Sequence, residues 1–168
     1  MQEEPFRPRE LLRVLAEHDV DFVVVGGMAG TARGSAFITR DLDIAYARDP
    51  ENLERLAAAL RELGARLRGA PRDVPFILDA KTLEAGAHFT FDTRRGPLDL
   101  LDRPDGSPSY EELRRRAGTH LIVDGLPVAV ASLDDLIAMK EATGRPRDKV
   151  VASELRLLAD ELNRRGTP

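Results

Sequence analysis

The sequence VVVGGMAGTARGSAFITRDLDI, residues 23–44, joins a β-branched run to two glycines and then to two aspartates separated by a leucine. Gly26 and Gly27 allow the chain to turn sharply after a buried strand and to approach a ligand closely, and the amides of a following helix suit a phosphate. An ordinary strand-to-helix turn without a ligand also explains the glycines. A dinucleotide-binding GxGxxG loop does not, because Met28 and Thr31 stand where its later glycines belong.

Asp41 and Asp43 add an independent observation. The segment TRDLDIAY is predicted to form a strand, in which residues i and i+2 point to the same face about 6.7 Å apart. Two unpaired carboxylates at that distance repel by roughly 2–3 kcal/mol at an effective dielectric constant near 20. Mg²⁺ removes this repulsion, since it prefers oxygen ligands and usually binds together with substrate phosphates. The alternative is a surface strand with two solvated acids, and the neighbouring glycines favour the metal site.

Length and composition limit the class of protein. The chain has 168 residues, of which 42% are apolar, so a single domain over residues 1–168 is expected. No run approaches the roughly 18 apolar residues of a membrane span, and the N-terminus lacks a signal-peptide pattern, so a cytoplasmic protein without a membrane partner is expected. The formal charge of −4 argues against a protein that coats nucleic acid, although 25 Lys and Arg residues leave room for local contacts.

Cysteine and histidine offer no metal site. The chain has no cysteine, which excludes a disulfide framework, a thiolate zinc site and a cysteine nucleophile. His18, His88 and His120 lie far apart in sequence and form no HExxH motif, so they are not expected to be metal ligands.

Helix signals occur along the whole chain. Pro8 suits the first position of a helix. Asp49 and Pro50 are expected to open a second helix, which Gly64 ends. Ser109 and Ser132 each precede an acidic residue at the spacing of an N-terminal cap and predict two later helices. The C-terminal third is therefore expected to be mostly helical.

Strand signals alternate with these helices. Residues 88–102, HFTFDTRRGPLDLLD, predict two strands joined by a tight turn at residues 94–96, and VDGLP, residues 123–127, predicts a second hairpin turn. Short elements of both kinds, separated by Gly, Pro and Asp, indicate a mixed α and β protein.

The two halves of the first stretch resemble the signature of nucleotidyltransferases of the DNA polymerase beta superfamily, which is a hydrophobic residue, Gly-Gly or Gly-Ser, a spacer, and Asp-x-Asp. Here Val25–Gly27 and Asp41–Ile44 match it across a spacer that runs from residue 28 to residue 40. The phrase GGMAGTARGSAFITRDLDI is most similar to the short AbiEii-type members, several of which are toxins of bacterial toxin–antitoxin and phage-defence systems. The tail VAVASLDDLIAMKEATGRPRDKVVASEL is also similar to that group, so the resemblance covers about residues 20–158.

The resemblance implies a fold and an activity. The fold is α+β (α/β), with a small mixed twisted β-sheet flanked by helices, a core at about residues 20–103, and a C-terminal hairpin and helices at about residues 109–163. The activity is transfer of a nucleoside monophosphate (NMP) from a nucleoside triphosphate (NTP) to an RNA (tRNA) or protein acceptor. Two Mg²⁺ ions, or Mn²⁺, would be the cofactors, and a toxin would have an antitoxin partner.

Family members use a third carboxylate on a later strand, and Asp92, Asp99 and Asp102 are the candidates. Asp99 is preferred because it stands between Leu98 and Leu100, so its side chain faces away from two apolar ones. Asp102 is expected at the end of the strand, and Asp92 just before the hairpin turn.

The resemblance also assigns roles. The three carboxylates would bind the ions, with Asp99 on the catalytic ion, and the glycines would hold the triphosphate. Lys140 is the candidate for neutralising the β- and γ-phosphates, because an ammonium group acts as a point charge; an ordinary solvated lysine is the alternative. The site residues are thus Asp41, Asp43 and Asp99 as catalytic and metal ligands, and Gly26, Gly27 and Lys140 as nucleotide ligands. Arg145 and Asp148 are expected either to pair with each other or, in the case of Asp148, to orient Lys140.

The chain departs from the superfamily at one point. Many members place a serine directly or shortly after the first glycine, whereas Gly27 and Met28 follow here. The alternative function is therefore a catalytically weak or inactive protein of the same fold that acts as a binding or neutralising partner.

Overall fold

A seven-stranded mixed β-sheet runs through the part of the chain that the computed structural model describes, residues 5–123 and 125–166. Its strands are β1 (Phe22–Val25), β2 (Leu42–Tyr46), β3 (Arg66–Leu67), β4 (His88–Thr93), β5 (Gly96–Leu101), β6 (Gly118–Val123) and β7 (Leu126–Val130). They lie in the order β3-β4-β5-β2-β1-β7-β6. The mixed sheet expected from the sequence is confirmed.

Seven helices accompany this sheet within the described residues. They are α1 (Pro8–Glu17), α2 (Gly26–Ala32), α3 (Pro50–Glu62), α4 (Ala80–Ala85), α5 (Tyr110–Arg116), α6 (Leu133–Ala142) and α7 (Pro146–Arg164). The predicted caps are confirmed: Asp49, Ser109 and Ser132 each accept a hydrogen bond from the backbone amide three residues later. None of the described helices is both long and apolar enough to cross a membrane.

Both predicted hairpins form. Strands β4 and β5 pair in antiparallel fashion around Arg94 and Arg95, and Gly96, with φ of +103°, starts β5. Strands β6 and β7 are also antiparallel. Asp124, which falls in the predicted turn between them, lies outside the described residues.

Strand β1 is buried along its whole length between β2 and β7. Helix α1 buries Leu11, Leu12 and Leu15 in the same core, as the 3.6-residue period of an amphipathic helix requires. Strand β2 is antiparallel to β1 and parallel to β5. This places Asp43 beside Val25 on one side and beside Asp99 on the other, near the middle of the sheet.

Candidate active site

Three aspartates converge on β2 and its neighbour β5. Asp43 lies in β2 and is the direct register partner of Asp99 in β5, so the two side chains share a face of the sheet. Asp41 precedes β2 by one residue, because the strand begins at Leu42 and not before Asp41 as the sequence suggested. One carboxylate oxygen from each aspartate lies within 4.8 Å of the others. The structure thus brings together the three carboxylates chosen from the sequence.

The other two candidates for the third carboxylate lie elsewhere. Asp92, in β4, pairs with Arg68 at 3.0 Å between Oδ1 and Nε. Asp102 follows the end of β5 and pairs with Arg48 at 3.6 Å. Asp99 is the member of this trio that joins the described cluster.

Gly26 and Gly27 are the first two residues of α2, and Gly26 makes room for Asp43 while Gly27 makes room for Thr39, a neighbour of the acidic cluster. Gly26 has φ of +64°, and a Cβ on it would lie 2.0 Å from Asp43 Oδ2. A Cβ on Gly27 would lie 2.7 Å from Thr39 Cβ, and Thr39 Oγ1 donates a hydrogen bond of 2.9 Å to Asp41 Oδ1. The glycines therefore allow the carboxylates to lie directly against the start of α2.

The same contact bears on the missing serine. Any side chain at position 27 would collide with Thr39, so Gly27 cannot be replaced by serine without moving the residue that holds Asp41. The glycine pair and the Asp-x-Asp segment are thus packed against each other, which the sequence did not reveal.

The cluster carries unbalanced negative charge. Burial, followed by the charges of Asp41 and Asp99, raises the pKa of Asp43 to about 7 from an ordinary value of 3.8. Burial also raises the pKa of Asp99, although the nearby Arg68 guanidinium opposes this. Carboxylates held together in this way are stabilised in their charged form by a cation.

Lys140 supplies positive charge from α6. Its charge lowers the pKa of Asp43, opposing the larger effect of burial. Its Nζ lies 3.3 Å from Oδ1 of Asp148, which is only 9% exposed and also accepts a hydrogen bond of 2.7 Å from Thr143 Oγ1. Of the two arrangements left open by the sequence, the contact between Asp148 and Lys140 is therefore present.

Arg68 is the site residue that sequence reasoning missed. It follows the two-residue strand β3, which carries no periodic pattern. Its Nη2 donates to Asp99 Oδ1 and to the Phe91 carbonyl oxygen, both at 2.9 Å, and its Nε donates to Asp92 Oδ1 at 3.0 Å. Only the pairing of β3 with β4 reveals that this arginine reaches the cluster.

The residues present fit a divalent cation. Three carboxylates, two of them on adjacent strands, offer the oxygen donors that Mg²⁺ prefers. The space that a Cβ at Gly26 would fill is occupied by Asp43, so the donor set depends on the glycine. Asp41, Asp43 and Asp99 are the side chains that would hold such an ion.

The chain matches no protein-family model, and no curated protein matches it significantly. Among solved structures, it is similar to the antibiotic-resistance factor ANT(2'')-Ia in solution, at 17% identity and a TM-score of 0.54 over 94% of this chain and 90% of that one. The crystal structure of ANT(2'')-Ia in complex with adenylyl-2''-tobramycin gives 19% identity and a TM-score of 0.56 over 90% and 85% of the two chains. A Thermotoga maritima protein assigned to the nucleotidyltransferases gives 18% identity and a TM-score of 0.53 over 93% of this chain and 96% of that one.

These likenesses show the fold. The chain has the nucleotidyltransferase fold, with a mixed sheet that carries Asp43 and Asp99 on neighbouring strands and Asp41 just before one of them.

The raised pKa of Asp43 has a measurable consequence in the metal-free protein. Because the folded-state pKa of about 7 exceeds the ordinary value of 3.8, the folded protein binds this proton more tightly. The resulting contribution to stability is fully present below the unfolded-state pKa and is lost as the pH rises towards 7. We expect Asp43→Asn to have a higher melting temperature than the wild type in EDTA at pH 8. Its melting temperature should also decrease less than that of the wild type between pH 5 and pH 8. Parallel curves for the two proteins would contradict this reading.

Proposed function

We propose that the protein is a Mg²⁺-dependent nucleotidyltransferase that transfers NMP from an NTP to an acceptor and releases pyrophosphate. The convergence of Asp41, Asp43 and Asp99 on a nucleotidyltransferase fold carries this proposal. We also propose that residues 1–168 form one nucleotidyltransferase domain.

The carboxylates have distinct roles in this proposal. Asp41 and Asp43 would bind two Mg²⁺ or Mn²⁺ ions, and Asp99 would hold the catalytic ion and accept the proton of the acceptor hydroxyl. Two such ions, when bound, stabilise the attacking and the leaving oxygen of an in-line displacement. The contact of Asp43 with Gly26 and that of Thr39 with Asp41 support a rigid arrangement of these ligands.

The nucleotide would lie against α2 and α6. Gly26 and Gly27 would approach the triphosphate with their backbone, and Lys140 would neutralise its β- and γ-phosphates. The ion pair of Lys140 with Asp148 supports this role, because a largely buried carboxylate holds the ammonium group in place. The charge of this ammonium group acts on Asp43, so Lys140 lies near the acidic cluster.

For the acceptor and the biological role, the AbiEii-type resemblance of residues 20–158 is the support. We propose an RNA (tRNA) or a protein as acceptor, and a toxin role in the cytoplasm with an antitoxin partner. Since one structural neighbour was solved with adenylyl-2''-tobramycin, an aminoglycoside belongs in the same assay as a third acceptor class.

The direct test incubates the protein with each α-labelled NTP, Mg²⁺ or Mn²⁺, and total tRNA, a protein extract or tobramycin. We expect label on one acceptor class with the wild-type protein and none with Asp43→Asn. Absence of label on every acceptor, or equal labelling by Asp43→Asn, would refute the proposal.

The binding-partner alternative is favoured by the contact between Arg68 and Asp99, which occupies one carboxylate of the cluster. Calorimetry separates the two functions. An active-type site binds an NTP only with the divalent ion and loses this binding in Asp41→Ala. NTP binding that survives Asp41→Ala would favour the partner function.

Lys140→Met tests the phosphate contact. Hydrogen bonds to charged groups contribute about 1.5–3 kcal/mol, so we expect the KM for the NTP to rise by about tenfold to a hundredfold. The matched control is Lys149→Met, since Lys149 is an exposed lysine on α7. Steady-state kinetics measure both, and an unchanged KM in Lys140→Met would show that Lys140 does not contact the phosphates.

A further inference from the structure

Arg68 forms a bridge between two acidic side chains on different strands. Its side chain is 35% exposed, whereas that of Asp99 is only 15% exposed, so the ion pair lies partly out of water. The other contacts of its guanidinium are Asp92 Oδ1 and the Phe91 carbonyl oxygen, both on β4 and both outside the acidic cluster.

This geometry places a guanidinium and a metal site in competition. A divalent ion held by Asp41, Asp43 and Asp99 would share Asp99 with a group of the same sign of charge. Two positive charges a few ångströms apart repel each other, and the partial burial of Asp99 reduces the screening of this repulsion by water. Arg68 and a divalent ion therefore compete for Asp99. Either one of them leaves this carboxylate, or the ion binds weakly.

The remaining contacts of Arg68 determine which group leaves. If Arg68 releases Asp99, its Nε still bonds Asp92 and its Nη2 still has the Phe91 carbonyl. Asp99, by contrast, is fixed in β5 opposite Asp43. The arginine thus has an alternative anchor close by, and the carboxylate does not move with it.

We propose that Arg68 is the counter-ion of the metal-free site and that it releases Asp99 when a divalent ion binds, while Asp92 retains it. This inference rests on the metal site of the proposed function and deepens it. Arg68 is a positioning residue, because it acts through Asp99. Arg68 stabilises the site when no ion is bound, and it lowers the affinity of the site for a divalent ion.

The test uses Mn²⁺ alone as the probe, with free Mn²⁺ measured by electron paramagnetic resonance. We expect Arg68→Gln to bind Mn²⁺ about tenfold more tightly than the wild type, because it removes a positive charge beside the ligands. Arg68→Lys keeps the charge and should remain close to the wild type. The matched control is Arg66→Gln, at an exposed position on β3, which should leave the affinity within about twofold.

Thermal unfolding provides the second readout. We expect Arg68→Gln to melt at a lower temperature than the wild type in EDTA and to gain more from saturating Mn²⁺. Equal losses with and without Mn²⁺, or Mn²⁺ binding no tighter than in the wild type, would show that Arg68 only packs the strand and would overturn the inference. If the wild type itself binds no Mn²⁺, the proposed metal site fails together with the inference; if it binds and Arg68→Gln matches it, the inference alone fails.

Discussion

Asp99→Asn is expected to lower kcat/KM for NMP transfer by about a thousandfold in a protein that still folds. Removing one group that stabilises the charge of a transition state typically lowers the rate by about 10²–10³-fold. Asp99 is the register partner of Asp43 and supplies the oxygen that closes the described three-carboxylate cluster. The amide keeps the shape of the side chain but lacks the charge that a divalent ion requires.

The matched control is Asp102→Asn, three residues further along the chain. Asp102 pairs with Arg48 and lies outside the cluster. We expect this variant to keep its activity within about twofold, as is usual for a surface ion pair. Steady-state transfer assays measure the activity of both variants, and circular dichroism checks that both are folded. Equal losses in the two, or full activity in Asp99→Asn, would remove Asp99 from the site.

Gly26→Ala is expected to abolish both divalent-ion binding and transfer. The new Cβ would lie 2.0 Å from Asp43 Oδ2, so Asp43 would have to leave its place in the cluster. The φ of +64° adds a backbone cost of about 1–2 kcal/mol for any L side chain. We expect a lower melting temperature and no further stabilisation by Mn²⁺.

Gly144→Ala separates the two effects. Gly144 has φ of +66°, but nothing lies within 4 Å of a Cβ placed there. This variant should show the backbone cost alone and keep normal Mn²⁺ binding in calorimetry. If Gly26→Ala binds Mn²⁺ as Gly144→Ala does, the contact between Gly26 and Asp43 is not required for the metal site.

Local patterns predicted much of this molecule. The caps at Asp49, Ser109 and Ser132 and the two hairpins depend on neighbours in sequence, so the residues themselves specify them. Asp99 was also within reach, because the alternation of Leu98, Asp99 and Leu100 fixes which face the carboxylate occupies.

Features that depend on distant pairing were not predicted. The parallel register of β2 and β5 sets Asp43 against Asp99, and the antiparallel register of β3 and β4 carries Arg68 to them. A two-residue strand has no period from which its pairing could be inferred. The packing contact of Gly26 with Asp43 also depends on distant pairing and was not predicted, while the nucleotide-binding role of Gly26 stays a prediction.

Crystals soaked with Mn²⁺ and a non-hydrolysable NTP analogue test the central claim most directly, through anomalous diffraction at the Mn²⁺ absorption edge. We expect two anomalous peaks, with carboxylate oxygens of Asp41, Asp43 and Asp99 about 2.0–2.2 Å from them, and Arg68 turned from Asp99 towards Asp92. Clear density for the analogue with no anomalous peak at these three aspartates would contradict the account.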